Sequence, residues 1–257
     1  MVLERASAMN VRFYFYMSLL SAVVATFNLK AAPTEYHFYT EQFPPYSYLQ
    51  QNAITGINVD LVNALCQRLQ LSCTITLLPW RRAFEQAQHH HFSGVFSTSR
   101  SADRESLFHW VGPIASEPGY LFRLKGRTEI NPTNLTEAKN YIVAVSRGDR
   151  LEAFLQSNGF NYDRNLMGFS TRTEPIPLFL ANKVDLLAGS KRALRSWMLE
   201  QNMPADTAEP LFKLEDVGKH YLALNLRFPT DIALAMQVEL DNMRKNGELA
   251  ALVQSYQ

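Results

Sequence analysis

The chain alternates short β-rich runs with helical ones, and it does so twice. Of everything in the 257 residues, this pattern limits the fold most. Alternating strands and helices build βα units, in which each helix carries the chain back so that the next strand lies parallel to the last. In the first block, "EYHFYT" reads as a strand and "FPPYSYL" as a turn stiffened by Pro44 and Pro45. "GINVDLVNALCQRLQL" reads as a helix. Gly56 closes the turn before it, Asn58 is placed to cap it, and Asp60 sits in the first turn, where the helix dipole favours a carboxylate. Leu61, Val62, Leu65 and Leu69 recur at helical spacing. "CTITLLP" then gives a strand, "WRRAFEQAQHH" a helix and "SGVFSTS" a third strand.

From about Thr128 the pattern restarts. "YIVAVS" is strand-like, and "RGDRLEAFLQSNG" is a helix opened at Gly148-Asp149 and closed by Gly159. "PIPLFLANK" reads as a helix and "VDLLAGS" as a strand. The last segment is a strand followed by two helices, with Gly247 between them. Between the blocks, "GPIASEPGYLFRL" has no helical periodicity and suits a crossing between lobes. The two blocks repeat in pattern, not in sequence.

Residues 1–31 read as a secretory leader. Arg5 and Arg12 give a positive start, Phe13 to Phe27 form an apolar run, and "NLKAAP" offers small residues for cleavage near Ala31. The leader is more typical when read from Met9. Its apolar run is shorter than the ~20 residues of a membrane span. The expected fate is export with cleavage of the leader. Without Arg5, Arg12, Lys30 and Glu4, the remainder holds 22 basic against 23 acidic residues, a formal charge of −1. It has no basic stripe for a phosphate backbone, so nucleic acid is not an expected partner. The 47% hydrophobic content supports a real core, and the chain is expected to act as a monomer.

Cys66 and Cys73 lie close together in "LCQRLQLSC". An oxidising compartment favours a disulfide over two separate buried thiols, and no nearby histidine stands at metal-ligand spacing. The run His89-His90-His91 does not make a metal site either. Adjacent helical residues point about 100° apart, and the run sits where its helix should end. No metal or cofactor is expected.

Two stretches carry chemistry. Trp80 opens a helix at a strand end, as either a cover for a ligand or a core-edge tryptophan. Arg104 lies just past another strand end, behind the hydroxyls of Ser97, Thr98 and Ser99. Open α/β sheets bind ligands outside the carboxyl ends of their strands, and arginine there can grip a carboxylate through two parallel hydrogen bonds. The plainer alternative is a surface ion pair with Asp103 or Glu105.

The stretch from "FPPYSYLQQNAITGINVDLVNALC" through "FSTSRSADRESLFHWVGPI" resembles the periplasmic solute-binding proteins of polar amino-acid ABC transporters. "LCQRLQLSC" is similar to the disulfide segment of the lysine/arginine/ornithine- and histidine-binding proteins. The resemblance runs from about Tyr36 to Tyr256 and is strongest in the first block. It implies an α/β fold of two lobes, each a mostly parallel sheet flanked by helices, joined by two hinge strands and closing over one ligand. Residues 32–116 and 221–257 would form lobe one and 117–220 lobe two, with hinges near 115–121 and 216–222. The partners would be an amino acid or similar carboxylate and a membrane ABC permease.

The resemblance also places residues. Arg104 would take the ligand's α-carboxylate with Ser97 and Ser99 beside it, and Trp80 would stack over the ligand's side chain. Glu41 and Phe43 occupy the loop that contributes an acid and an aromatic. Asn58 stands where an acidic residue is usual. In lobe two, Gly148-Asp149-Arg150 departs from the usual Ser or Thr after the glycine. Asp149 either caps the helix, with Glu152 completing a capping box, or faces a ligand amine. Ser190 stands where binders of cationic amino acids have aspartate, which leaves Glu41 as the candidate ammonium partner. Two other functions fit the same resemblance: an enzyme similar to the cyclohexadienyl dehydratases, and a sensing module for a receptor. The enzyme needs an acid/base pair, and no lysine or histidine stands at a matching strand end.

Overall fold

The computed structural model describes residues 35–214 and 218–256. The expected leader, and part of the second expected hinge, lie outside the described residues.

Two five-stranded sheets organise the chain. Strands β1 (Glu35–Thr40), β4 (Ser72–Leu77), β5 (Ser93–Thr98), β6 (Phe108–Ser116) and β12 (Lys219–Asn225) form the first, in the order β4-β1-β5-β12-β6. Strands β7 (Gly119–Leu124), β8 (Val143–Ser146), β9 (Leu166–Phe169), β10 (Leu186–Ser190) and β11 (Ala208–Leu214) form the second, in the order β11-β7-β10-β8-β9. A small ribbon of β2 (Tyr48–Gln50) and β3 (Ala53–Thr55) stands apart. The chain passes from the first sheet to the second between β6 and β7 and returns between β11 and β12.

Parallel pairing holds where βα units connect the strands: β1 with β4 and β5, and β8 with β9 and β10. The strands that carry the chain between sheets pair antiparallel, with β12 lying between β5 and β6, and β7 between β10 and β11. A connection that leaves one sheet for the other has no crossover helix to reverse it, so the parallel rule lapses there.

Helices α1 (Ile57–Arg68), α7 (Thr230–Lys245) and α8 (Glu248–Gln254) pack on one face of the first sheet. There Phe38, Phe96, Leu61, Leu65, Leu222 and Leu240 are fully buried. Helix α2 (Trp80–His89) covers the opposite face through Trp80, Ala83 and Ala87. On the second sheet, α4 (Arg150–Ser157) covers one face. Helices α5 (Pro175–Leu180) and α6 (Lys191–Glu200) cover the other, and a one-turn α3 (Leu135–Ala138) precedes β8. Burying each large side chain contributes roughly 1.5–3 kcal/mol.

The disulfide joins Cys66, near the end of α1, to Cys73 at the start of β4. One local expectation fails. Asn58 does not cap α1, because the helix begins at Ile57 and makes its N-cap at Gly56 without a side-chain bond. Gly56 takes φ +128°, and a Cβ there would fall 2.5 Å from the Tyr46 carbonyl oxygen. That close backbone approach fixes the helix start. Asn58, one residue inside, points instead into the protein. Among the described residues no helix is long and apolar enough to cross a membrane, and no three His, Cys, Asp or Glu side chains converge as metal ligands.

Candidate functional site

The carboxyl ends of β1 and β5 face the second sheet. Glu41 and Phe43 follow β1 directly, and Ser97 and Thr98 end β5. Ser97 takes φ +61°, a conformation that costs a non-glycine residue roughly 1–2 kcal/mol and tends to persist at working sites. Its Oγ accepts a hydrogen bond from Asn58 Nδ2 at 2.9 Å and lies 3.4 Å from Ser47 Oγ. Asn58 Nδ2 also lies 3.5 Å from His220 Nδ1. The imidazole of His220 meets the Tyr46 ring at 4.6 Å and the Phe43 ring at 5.4 Å. Burial, helped by the nearby Arg172 charge, pushes this histidine down to about 3, so it is neutral at ordinary pH.

The second sheet supplies the facing wall. Helix α4 starts at Asp149, whose Oδ1 accepts from the Glu152 N–H at 2.8 Å, and the Glu152 carboxylate accepts in turn from the Gly148 N–H. This is a capping box shifted by one residue on its return arm. The other carboxylate oxygen of Asp149 is 2.9 Å from Arg172 Nη1. Asp149 therefore caps the helix, as one of its two sequence readings has it, and its free oxygen pairs with Arg172.

Arg172, on the loop between β9 and α5, reaches across to the first sheet. Its Nε donates to Glu41 Oε1 at 2.8 Å, and its guanidinium lies 4.3 Å from the centre of the Phe43 ring. Glu41 and Asp149 are 1% and 2% exposed. Burial raises both carboxyls, and Arg172 opposes that rise only in part. Burial also works against the Arg172 charge, but the two carboxylates outweigh it and hold the guanidinium above its usual range. Glu41 Oε2, Asn58 Oδ1 and Ser146 Oγ are buried without a hydrogen-bond partner among the described residues.

Arg104 is largely buried as well. It makes only a distant approach, 3.9 Å, to Asp103, while the neighbouring Arg100 takes Glu105. Its Nη2 donates to the Gly148 carbonyl at 2.9 Å, and the same oxygen accepts the Trp80 indole N–H at 2.6 Å. The guanidinium packs against Trp80 and Phe84, 5.6 and 5.0 Å from their ring centres. Burial depresses its pKa.

Of the residues singled out from sequence, Phe43, Ser97, Ser99, Asp149, Arg150 and Ser190 line one cavity of about 40 Å3 between the sheets. Glu41 adjoins that cavity through Arg172. Trp80, Arg104 and Gly148 meet one another outside its lining. Ser190 caps α6, accepting from the Ala193 N–H at 3.2 Å.

The family model for bacterial extracellular solute-binding proteins, family 3, matches residues 38–257. The chain belongs to that family. No curated protein matches this family 3 chain in a sequence comparison. Solved structures do resemble it. An ancestral arginine-binding protein bound to arginine superposes with a TM-score of 0.76 at 16% identity, covering 86% of this chain and 97% of that one. A histidine kinase sensor domain with similarity to periplasmic binding proteins gives 0.77 at 17% identity, covering 87% and 96%. A Salmonella typhimurium periplasmic binding protein with high arginine specificity gives 0.72 at 16% identity, covering 87% and 99%. At these identities the likeness is one of fold, and the fold is the two-lobe periplasmic-binding-protein fold.

Two residues at the cleft of this family 3 protein have no signal in its sequence. Arg172 stands in the polar loop "STRTEP", and His220 is a lone histidine at a strand start. What connects them to the site is distance in the fold, 131 residues of chain from Arg172 to Glu41 and 162 from His220 to Asn58.

Proposed function

We propose that the protein captures a small carboxylate-bearing solute, an amino acid, by lobe closure in the periplasm and presents it to a membrane ABC permease. One observation carries this reading. Buried charges from both sheets, Glu41 from the first and Asp149 from the second, are bridged by Arg172 beside one cavity. Buried ion pairs add little to stability compared with apolar packing, so a junction built from them points to a working surface. Glu41 Oε2, enclosed and without a partner, is suited to accept from a solute's ammonium. Arg104 is suited to the carboxylate, which would replace the Gly148 carbonyl on its guanidinium. Ser97, Ser99 and Ser190 supply hydroxyls around the solute, Asp149 and Arg150 the wall from lobe two, and Phe43 an apolar face. Trp80 backs Arg104.

The reading is of a binder without catalysis. A general acid or base works best with a pKa near the operating pH, whereas His220 is pushed down to about 3 and the acids are tied to Arg172. Incubation with prephenate or arogenate should therefore yield no aromatic product.

A thermal-shift screen of amino acids and small carboxylates tests the main reading, since a ligand that binds only the folded state raises the melting point. At least one α-amino acid should raise it saturably. A flat response across the whole set would overturn the proposal. A histidine kinase sensor domain shares the fold, so the alternative destination for the same captured solute is a receptor in place of a permease. Co-purification with membrane partners in the presence of solute separates the two.

A further inference from the structure

The guanidinium of Arg172 sits in a complete three-sided cradle. Phe43 offers a ring face at 4.3 Å, Glu41 an oxygen at 2.8 Å and Asp149 an oxygen at 2.9 Å. Aromatic faces and carboxylates are the groups that hold guanidinium ions, the first through the ring quadrupole and the second through charge-assisted hydrogen bonds. Two elements of the cradle come from the first sheet and one from the second, so the cradle exists only where the lobes meet. The cavity left beside Arg172 is about 40 Å3, room for roughly three waters.

We propose that Arg172 is a resident occupant of a guanidinium pocket. From within the chain it fills the part of the cleft that a cationic side chain would take, and so it restricts the site to solutes without one. This rests on the solute-binding reading and narrows it to the class of solute. The charges agree with that narrowing. Three carboxylates, Glu41, Asp149 and Glu117, stand with three guanidinium groups, Arg172, Arg104 and Arg150, around this junction. A zwitterionic amino acid adds no net charge to this set. A lysine- or arginine-like solute would bring a further cation against Arg172, which is unfavourable where screening is weak. Arg172 lies on a loop and in no strand or helix, so truncating it removes no backbone hydrogen bond of a sheet or helix.

The probes are ethylguanidinium and L-arginine, added at millimolar concentration to the purified protein and to Arg172→Ala. Melting temperature and calorimetric titration are the readouts. The wild type should respond to neither probe. Arg172→Ala should bind ethylguanidinium saturably and arginine at least tenfold more tightly than the wild type does, and adding Glu41→Gln should cancel most of that gain. Should Arg172→Ala be recovered unfolded, ethylguanidinium should restore its near-ultraviolet circular dichroism, and Arg172→Gln serves as the second background for the same titrations. The inference is overturned if folded variants ignore both probes, if neither variant folds with or without ethylguanidinium, or if the wild type binds arginine as tightly as the truncated form. A wild type that binds small neutral amino acids while Arg172→Ala ignores guanidinium would sink this inference alone. A wild type that binds no amino acid while Arg172→Ala takes ethylguanidinium would sink the solute reading alone.

Discussion

The carbonyl oxygen of Gly148 accepts the indole N–H of Trp80 at 2.6 Å, a bond that links the helix after β4 to the loop after β8. Arg104 donates to the same oxygen, so a single backbone atom of the second sheet is held by two side chains of the first.

Replacing Trp80 with phenylalanine keeps an aromatic ring against Arg104 and deletes the donor. One hydrogen bond is worth roughly 0.5–1.5 kcal/mol net, so the melting point should fall modestly. X-ray scattering should show a larger radius of gyration for Trp80→Phe than for the wild type without solute. Equal radii would mean that this bond does not hold the lobes together.

Arg104→Ala should weaken binding of the screened amino acid by roughly thirtyfold to a few thousandfold, since losing one partner of a buried charged pair costs on the order of 2–5 kcal/mol. Arg104→Lys retains charge without the two-pronged geometry and should fall between the two. Titration calorimetry measures both. Wild-type affinity in a well-folded Arg104→Ala protein would remove Arg104 from the carboxylate site.

His220 makes stability depend on pH. Its folded value is about 3 against an ordinary 6.5, so between those values the unfolded chain holds a proton that the folded one excludes. The contribution is complete above pH 6.5 and is lost as the pH falls toward 3, reaching a few kcal/mol. Glu41 and Asp149, both raised, work in the opposite direction. The comparison is therefore with His220→Gln, whose melting point should fall less than the wild type's between pH 7 and pH 4. Parallel slopes would refute the assignment.

Gly56→Ala should cost more than ~2 kcal/mol, because the new methyl meets the Tyr46 carbonyl and the backbone is left-handed. Gly126→Ala has no heavy atom within 4 Å of the new methyl and should change stability by less than ~0.5 kcal/mol. Denaturant melts of the two variants side by side give the contrast.

Local patterns carried most of the fold. The strand and helix runs read from hydrophobic period and Gly/Pro punctuation lie where that reading places them, β9, α6 and β11 of the second block escape it, and Cys66 pairs with Cys73 across a short turn. Asn58 went astray because a cap and a buried polar residue one or two positions inside a helix look alike in sequence; Gly56 and the Tyr46 carbonyl, 10 residues upstream, decide between them. Arg172 and His220 were illegible for a related reason. Arg172 finds Glu41 and Phe43 across a junction that only the finished fold creates, His220 finds Asn58 at a distance of 162 residues within the first lobe, and a single polar residue at a loop or strand end has no periodicity to betray it.

Strand β12 enters the first sheet between β5 and β6, and β6 has no other neighbour there. The amino-terminal half therefore cannot finish its own lobe. Until residues 219–225 emerge, β6 is orphaned and β5 has a bare edge, so completion waits on almost the entire polypeptide. The two lobes of this member of an extracellular family therefore cannot mature one after the other in chain order: the second must be almost wholly made before the first can close its sheet.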